Sequence, residues 1–295
     1  MKPRHLTDLL LLATIWGSSF LFMRLVVPVF GPAGTAWLRV AGAAALLVPI
    51  ALWRGEGAAL RERAPQLLLV GLTNSALPFL CYAWAVQQLP SNLTAVFNAG
   101  TPLYTALLAW LWLGDRLTGW RIAGLVLGFI GVTGLALVKA GLQTGQLDRA
   151  NALAVAACIA ATLMYAHAAC YSRSRLKGVP AMAMAAGSQL SATLVLAGPA
   201  LLTWPAVSAT PLQWLLMAVL AFLCSGVAYI LYFRLLAQVG ATSAASVTFL
   251  VPVFAAAWGA AVLGEAVTLP MLVGGGVILV GTVLVLGLWP RRPAA

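Results

Sequence analysis

Residues 102–131 read PLYTALLAWLWLGDRLTGWRIAGLVLGFIG, and residues 252–281 read PVFAAAWGAAVLGEAVTLPMLVGGGVILVG. An offset of 150 positions superposes the opening prolines, the Leu-Gly-Asp and Leu-Gly-Glu triplets, a threonine and two glycines without a gap. The same offset places Tyr82 on Tyr232 and Gln88 on Gln238. The chain therefore contains two copies of one unit, and its fold can be predicted from that unit.

The composition indicates a membrane protein. Hydrophobic residues make up 62% of the 295 positions, charged residues make up only 8%, and the mean hydropathy is +0.99. Soluble domains carry about 25% charged residues. The isoelectric point near 10.3 would also suit a nucleic-acid-binding protein. The basic residues, however, occupy short loops between apolar stretches, as in the cytoplasmic loops of membrane proteins. We therefore expect a lipid bilayer and no nucleic acid as partner.

Each copy contains five apolar stretches that could cross a bilayer, for which about 20 residues are needed. The ten predicted spans are 6–27, 34–53, 65–88, 92–113, 119–139, 150–172, 181–203, 211–236, 241–263 and 269–289. The predicted fold is thus an all-α integral membrane protein with ten transmembrane helices. Two five-helix repeats, 1–139 and 150–289, are followed by a short basic tail, 290–295. Because five is odd, the second repeat is inverted, an arrangement typical of secondary transporters.

Lysine and arginine residues predict the orientation of the chain. Thirteen lie in segments on one side of the predicted spans, and two, Lys139 and Arg149, lie in loops on the other side. The positive-inside rule places the richer side, with both termini, in the cytoplasm. The first apolar run, Leu6 to Val27, is too long for a cleaved signal peptide, so we expect it to remain as the first span of a multi-pass protein of the cytoplasmic membrane.

Several residues resemble the EamA family of the drug/metabolite transporter superfamily. They are Trp16-Gly17-Ser18-Ser19-Phe20 in the first span, Arg39 in the second, and the Leu-Gly-acid endings at 113–115 and 263–265. The resemblance covers both repeats and makes each an EamA-like unit. It implies a ten-helix carrier of small metabolites, often an exporter of amino acids or related compounds. It also implies a central cavity surrounded by the first four helices of each half.

The fourth span carries a polar face. Thr94, Asn98, Thr101 and Thr105 follow one another at spacings of four, three and four residues, which places them on one side of a helix. Such a face avoids lipid and borders protein or a water-filled cavity, although each threonine could instead bond its own helix backbone. An amide in hydrocarbon is costly, so Asn98 is the leading candidate on this face.

Other spans contribute aromatic and polar side chains that suit a pocket for an amphipathic ligand, unless they serve ordinary helix packing. The predicted cavity residues are Trp16, Ser19, Arg39, Asn74, Tyr82, Asn98, Thr101, Tyr165, Tyr229, Tyr232 and Trp258. Internal prolines remove a backbone donor and kink helices, so we predict hinges at Pro78, Pro102 and Pro252.

Two arginines, Arg24 and Arg39, lie within predicted spans. A charge at the centre of a membrane helix costs roughly 3 kcal/mol or more. Arg39 could bind a substrate carboxylate through its planar guanidinium, pair with Glu265 or Asp148 at the outer face, or snorkel to water. Gln189 holds the equivalent position in the second repeat, so the charge is not a symmetric requirement.

No residue pattern indicates an enzyme, a metal or a cofactor. The four cysteines and two histidines form no metal or nucleophile motif. No acid lies deep in a span, so we expect no strong proton coupling, and we interpret His167 as a packing residue. Gly124 and Gly128 are expected to pack two helices within the monomer, with a dimer as the alternative.

The sequence thus predicts a carrier that moves a small-molecule substrate by alternating access. An exporter of amino acids or related amphipathic compounds follows from the family resemblance. A multidrug or nucleoside/purine efflux carrier remains the alternative, followed by a channel or a membrane-embedded enzyme.

Overall fold

The computed structural model describes residues 3–141, 148–232, 234–235, 238 and 247–287. All regular structure in these ranges is helical, and no strand occurs in them. Among the described residues, seven helices are long and apolar enough to cross a membrane: His5–Trp53, Ala64–Ala85, Gly119–Lys139, Arg149–Arg175, Ala181–Leu202, Pro211–Tyr232 and Leu269–Leu286. The architecture is therefore that of an integral membrane protein. The predicted basic tail and the start of the predicted ninth span, 241–246, lie outside the described residues.

The α-helices are labelled here in chain order. They are Pro3–Trp53 (α1), Gly57–Glu62 (α2), Ala64–Gly71 (α3), Leu77–Ala85 (α4), Ser91–Asn98 (α5), Thr101–Leu113 (α6), Gly119–Lys139 (α7), Arg149–Arg175 (α8), Ala181–Leu202 (α9), Pro211–Ala218 (α10), Val247–Leu263 (α11) and Leu269–Leu286 (α12). In the core, α1 packs against α9 and α11, and α8 packs against α4 and α6.

The first two predicted spans form one helical run that breaks at Gly31. This residue has φ 68° and ψ 166°, a conformation that glycine adopts without steric cost. Pro28 and Pro32 flank the break. Because proline has no backbone N–H, fewer N–H groups are left without a helical hydrogen bond there. The expected loop at 28–33 is thus replaced by a single non-helical residue between two helical segments.

Two π-helical segments interrupt the spans that start at α3 and α10. They are Leu72–Ala76, which joins α3 to α4, and Val219–Val227, which follows α10. Pro78 lies just after the first segment, in the first turn of α4, where its missing N–H and bulky ring are tolerated. Short π segments often occur at functional sites because they redirect side chains. Here they contain Ser75 and Ser225.

The predicted fourth span is not one helix. It divides into α5 and α6, which are separated by Ala99 and Gly100, and Pro102 stands in the first turn of α6. The predicted span over 92–113 is thus divided close to the predicted hinge at Pro102, because proline cannot continue the hydrogen-bonding pattern of the preceding turn. Pro252, by contrast, lies inside the unbroken helix α11.

Helices α7 and α12 pack closely through glycines. A Cβ on Gly124 would lie 2.7 Å from the carbonyl oxygen of Gly281, and one on Gly131 would lie 3.0 Å from that of Gly274. Only glycine permits so close a backbone approach. The side of α7 that carries Gly124 thus packs within the monomer, as the sequence predicts.

Candidate functional site

A cavity of about 600 Å³ lies between residues of both halves of the chain. Its walls come from α1, α4, α5, α6, α7, α8, α11, α12, the two π segments and the helical residues 228–232. Ten of the predicted cavity residues line it: Trp16, Ser19, Arg39, Asn74, Tyr82, Asn98, Thr101, Tyr165, Tyr229 and Tyr232. This volume is within the range that holds small organic ligands, about 300–1,000 Å³.

Amide and tyrosine side chains pair across the cavity walls. Tyr82 donates its hydroxyl proton to Asn98 Oδ1 at 3.1 Å, and Asn74 Nδ2 donates to the Tyr229 hydroxyl at 3.2 Å. Thr101 donates instead to the carbonyl oxygen of Asn98 in its own chain segment. These bonds hold polar groups at defined positions on an otherwise apolar surface, which is how a pocket orients an amphipathic ligand.

Two aromatic contacts join the halves beside the cavity. Tyr82 stacks on Tyr165 with ring centroids 6.2 Å apart, and Trp16 lies against Tyr232 at 5.4 Å. Aromatic rings bury large areas while keeping few rotatable bonds, so they form rigid walls.

Arg39 is buried in the cavity wall, with 6% of its surface exposed. Its Nε donates to Ser225 Oγ at 2.7 Å, and its guanidinium carbon lies 3.9 Å from the centroid of the Phe79 ring. The serine hydroxyl donates onward to the carbonyl oxygen of Leu220. Ser225 thus holds one edge of the guanidinium by a hydrogen bond, and the Phe79 ring covers one of its faces.

Neither acid that we considered as a partner contacts Arg39. The Glu265 carboxylate accepts from Ser91 N at 2.8 Å, Ser91 Oγ at 2.9 Å and Asn92 N at 3.1 Å. The Asp148 carboxylate caps α8 through the Asn151 backbone. The predicted outer ion pair is therefore wrong, and so is snorkelling, because Arg39 is buried. Both acids instead satisfy the free N–H groups of helix N-termini.

The cavity reaches the surface beside Asp115, Arg121 and Arg173. Arg173 Nη1 donates to Asp115 Oδ2 at 2.8 Å, and Nη2 donates to Oδ1. This hydrogen-bonded guanidinium holds the pKa of the Asp115 carboxyl below its ordinary value. Asp115 follows α6, whereas Glu265 binds the start of α5, so the two acids lie at opposite ends of the α5–α6 segment.

Some predicted residues lie elsewhere. Trp258, on α11, does not line the cavity and is 36% exposed. Of the predicted hinges, Pro102 lines the cavity, but Pro78 and Pro252 do not. His167 forms a three-ring cluster with Trp112 and Tyr171 and does not line the cavity, which fits its interpretation as a packing residue.

Sequence reasoning missed Phe79 and the Asp115–Arg173 pair as cavity residues. Phe79 precedes Tyr82 by three positions, so helical spacing could have found it. Asp115 and Arg173 are 58 residues apart, and no local pattern links them. In the described part of the chain, no three His, Cys, Asp or Glu side chains converge to hold a metal ion.

A larger concave surface, of about 910 Å³, lies between α6 and α7. Apolar side chains such as Leu107, Trp110 and Phe129 line almost all of it. Acyl chains suit this surface better than a polar metabolite does, because it offers few hydrogen-bonding groups. The smaller cavity, with its amides, tyrosines and arginine, is therefore the candidate site.

A helical membrane protein with a cavity between its two halves, lined by aromatic and polar side chains, suits a transporter, and comparisons with known proteins agree. The model of the EamA-like transporter family matches residues 7–137 and 152–287. The chain belongs to this family.

Individual relatives are distant but cover nearly the whole chain. "Uncharacterized transporter YvbV" of Bacillus subtilis is 27% identical, over 92% of this chain and 88% of its own. "Probable terminal-alkyne amino-acid exporter" of Streptantibioticus cattleyicolor is 26% identical, with coverages of 94% and 91%. "Uncharacterized inner membrane transporter YedA" of Escherichia coli K12 is 28% identical, with coverages of 95% and 90%.

A solved crystal structure has the same fold. It superposes with a TM-score of 0.66 over 96% of each chain at 20% identity. The chain is thus a multi-pass membrane protein of a transporter family, with its cavity at the centre of a fold that has been seen experimentally.

Proposed function

We propose that this protein is a secondary transporter that moves small amphipathic metabolites, namely amino acids or related compounds, out of the cytoplasm by alternating access. The observation that carries this proposal is the cavity of about 600 Å³, which is lined by residues of both halves of the chain and extends to Asp115 and Arg173 after α6. Secondary transporters built from two repeats hold their substrate in such a site, at the interface between the repeats.

We further propose ten membrane crossings. The long run His5–Trp53 counts as two crossings because Gly31 breaks it, the pair α5 and α6 counts as one, and the 17-residue helix Val247–Leu263 counts as one. Together with the six other long apolar helices, these make ten. Each crossing then has roughly the length that a bilayer requires, about 20 residues.

We propose that the two halves are inverted repeats. Support comes from contacts that occur twice. When each residue of such a contact is replaced by the residue 150 positions away in the other half, a second observed contact results. Arg39 bonds Ser225, and Gln189 Nε2 donates to Ser75 Oγ at 2.8 Å. The contact of Gly124 with Gly281 corresponds in the same way to the contact of Gly274 with Gly131, between α7 and α12. A two-fold axis relating the halves produces such reciprocal pairs.

The orientation follows from charge. The cavity mouth carries Arg121 and Arg173, which belong to the basic side of the predicted topology. The positive-inside rule then makes this the cytoplasmic face, with both termini on it. In this conformation an exporter would load its substrate. Reporter fusions at each terminus test the orientation, and an extracellular signal from either one contradicts it.

The substrate class is suggested by the cavity walls and by one relative. Tyrosines, tryptophan and amides suit a small amphipathic compound, and the Streptantibioticus cattleyicolor relative is named as an amino-acid exporter. Aromatic walls also suit cationic drugs or nucleosides, so a multidrug or nucleoside/purine carrier is the second candidate.

Counterflow in proteoliposomes tests the proposal. Vesicles preloaded with an unlabelled compound should accumulate the same labelled compound transiently, because a carrier exchanges substrate across the membrane one molecule at a time. A screen of amino acids, nucleosides and quaternary amines selects the compounds by thermal shift. Vesicles with Asn98→Leu protein are the matched control. Rapid equilibration without accumulation indicates a channel, and chemical conversion of the compound indicates an enzyme.

A further inference from the structure

We infer that Arg39 is the anion subsite of the cavity and binds the carboxylate of the transported molecule. This inference rests on the proposed function and names its substrate class: monocarboxylates with an apolar or aromatic body. It starts from an unusual feature of the cavity wall, a buried arginine that has no acidic partner.

The chain has six acidic side chains, and none of them neutralises Arg39. Four are held by other groups: Asp8 pairs with Arg234, Glu56 with Arg54, Asp115 with Arg173, and Glu265 with the start of α5. Asp148 caps α8, and Glu62 is exposed in the short helix α2. Every Asp and Glu of the protein is thereby accounted for.

A buried charge without a counter-ion is costly. A guanidinium has five N–H donors, and the described residues give Arg39 one hydrogen bond, from Nε to Ser225. The terminal nitrogens therefore have no acceptor in this part of the chain, and Arg39 lines the cavity. A carboxylate entering the cavity would supply both the counter-ion and two parallel acceptors.

The surroundings of Arg39 define the rest of the ligand. Phe79 covers one face of the guanidinium, and Tyr165 and Tyr229 line the cavity with it. These rings offer an apolar surface to the part of the ligand that lies beyond its carboxylate. A permanent cation would instead meet the Arg39 charge, so the structure disfavours cationic drugs as substrates.

The test compares ligands that differ only in their charge. The probes are phenylalanine, leucine and 3-phenylpropanoate, each paired with its amide, together with the tetraphenylphosphonium cation and chloride. Binding to purified protein is measured by thermal shift and exchange by counterflow. For at least one pair, the carboxylate should bind about 10- to 150-fold more tightly than the amide, the range for one charge-assisted contact.

Variants connect this preference to Arg39. Arg39→Gln introduces the side chain that the second repeat already carries at Gln189, so Ser225 keeps a donor. The preference for carboxylates should disappear in this variant and persist in Arg24→Gln. Arg24 is the matched control because it contacts the Leu89 carbonyl at 3.4 Å and does not line the cavity. The melting temperature without ligand and the gel-filtration profile verify that each variant is folded.

Several outcomes would overturn the assignment: equal binding of carboxylates and amides, binding of no carboxylate, a preference that survives Arg39→Gln, or stabilisation by chloride or tetraphenylphosphonium at the same concentration. Failure of the proposed function is distinct. Counterflow of neutral compounds without charge preference would support the proposed carrier and contradict the proposed anion subsite. Carboxylate binding without counterflow of any probe would support the proposed anion subsite and contradict the proposed carrier function.

Discussion

Arg39 of the first half donates from Nε to Ser225 Oγ of the second half at 2.7 Å, inside the cavity wall. This bond joins the second part of α1 to a π-helical segment, where the hydroxyl is displaced from the position that a regular α-helix would give it. The serine therefore orients the guanidinium of a side chain that lines the cavity, and the two terminal nitrogens have no hydrogen bond to the described residues.

Ser225→Ala should weaken binding of carboxylate ligands by about 2- to 13-fold, the effect of one ordinary hydrogen bond. The charge remains, but its orientation is no longer fixed. Ser75→Ala is the matched control because Ser75 has the equivalent place and bonds the neutral Gln189. Isothermal titration with the best carboxylate probe measures both. Equal losses in the two variants would show that the serines act through helix packing.

Replacing Asn98 with leucine should abolish or alter transport while the protein stays folded. The change removes an amide from the cavity and leaves the Tyr82 hydroxyl without its acceptor. Thr94→Val is the control, since Thr94 belongs to the same predicted polar face but is buried outside the cavity. Initial counterflow rates compare the two. Normal transport by the leucine variant would make Asn98 a packing residue.

Glu265→Gln should make the cavity more accessible from the end of the α5–α6 segment that lies away from Asp115. The carboxylate accepts three hydrogen bonds from Ser91 and Asn92 at the start of α5, and its charge interacts favourably with that helix terminus. An amide keeps the shape but loses the charge, a change worth about 0.3–1 kcal/mol at helix ends, and its NH2 group cannot accept from the backbone N–H groups. Labelling of Asn98→Cys by a membrane-impermeant maleimide from outside should therefore increase.

Asp148→Asn is the control for that experiment because Asp148 also caps a helix, and among the described residues its carboxylate accepts only from Asn151 of the same segment. It should leave the labelling unchanged. If both variants raise labelling equally, the increase results from the loss of a helix cap in general and not from Glu265 in particular.

The Asp115–Arg173 pair should persist through the physiological pH range. Arg173 lowers the pKa of Asp115, so the stabilisation is present above the ordinary aspartate pKa, about 4, and is lost only as the pH falls through the lower folded-state value. Melting temperatures of the wild type and Asp115→Asn should differ by a constant amount from pH 5 to 8 and converge at more acidic pH. A difference that varies between pH 6 and 8 would contradict this sign.

His167→Asn should leave transport and its pH dependence intact. The imidazole stacks at 5.5 Å on Trp112 and does not line the cavity, so it has no route for proton exchange with a substrate. An imposed pH gradient should likewise change initial uptake little. Concentrative uptake driven by a pH gradient alone, and lost in the variant, would make His167 the coupling residue.

The sequence by itself determined the class of structure. Composition and the lengths of the apolar runs require a helical membrane protein, because backbone groups in lipid must bond within their own helix. Helical spacing also singled out residues that line the cavity, such as Asn98, Thr101 and Tyr229, since a polar side chain in a span has to avoid lipid. Trp258 is the exception, because periodicity cannot distinguish an aromatic that faces lipid from one that faces a cavity.

Only the tertiary structure decided the partners. The sequence offered Arg39 a carboxylate ligand, Glu265, Asp148 or water, and each was chemically reasonable. The folded chain commits every acid elsewhere and brings Ser225, 186 positions away, to Arg39. Contacts between distant segments depend on how the helices pack and on where π turns redirect side chains, and neither follows from local spacing. The fold thus leaves the buried positive charge of Arg39 in the cavity wall without an acidic partner.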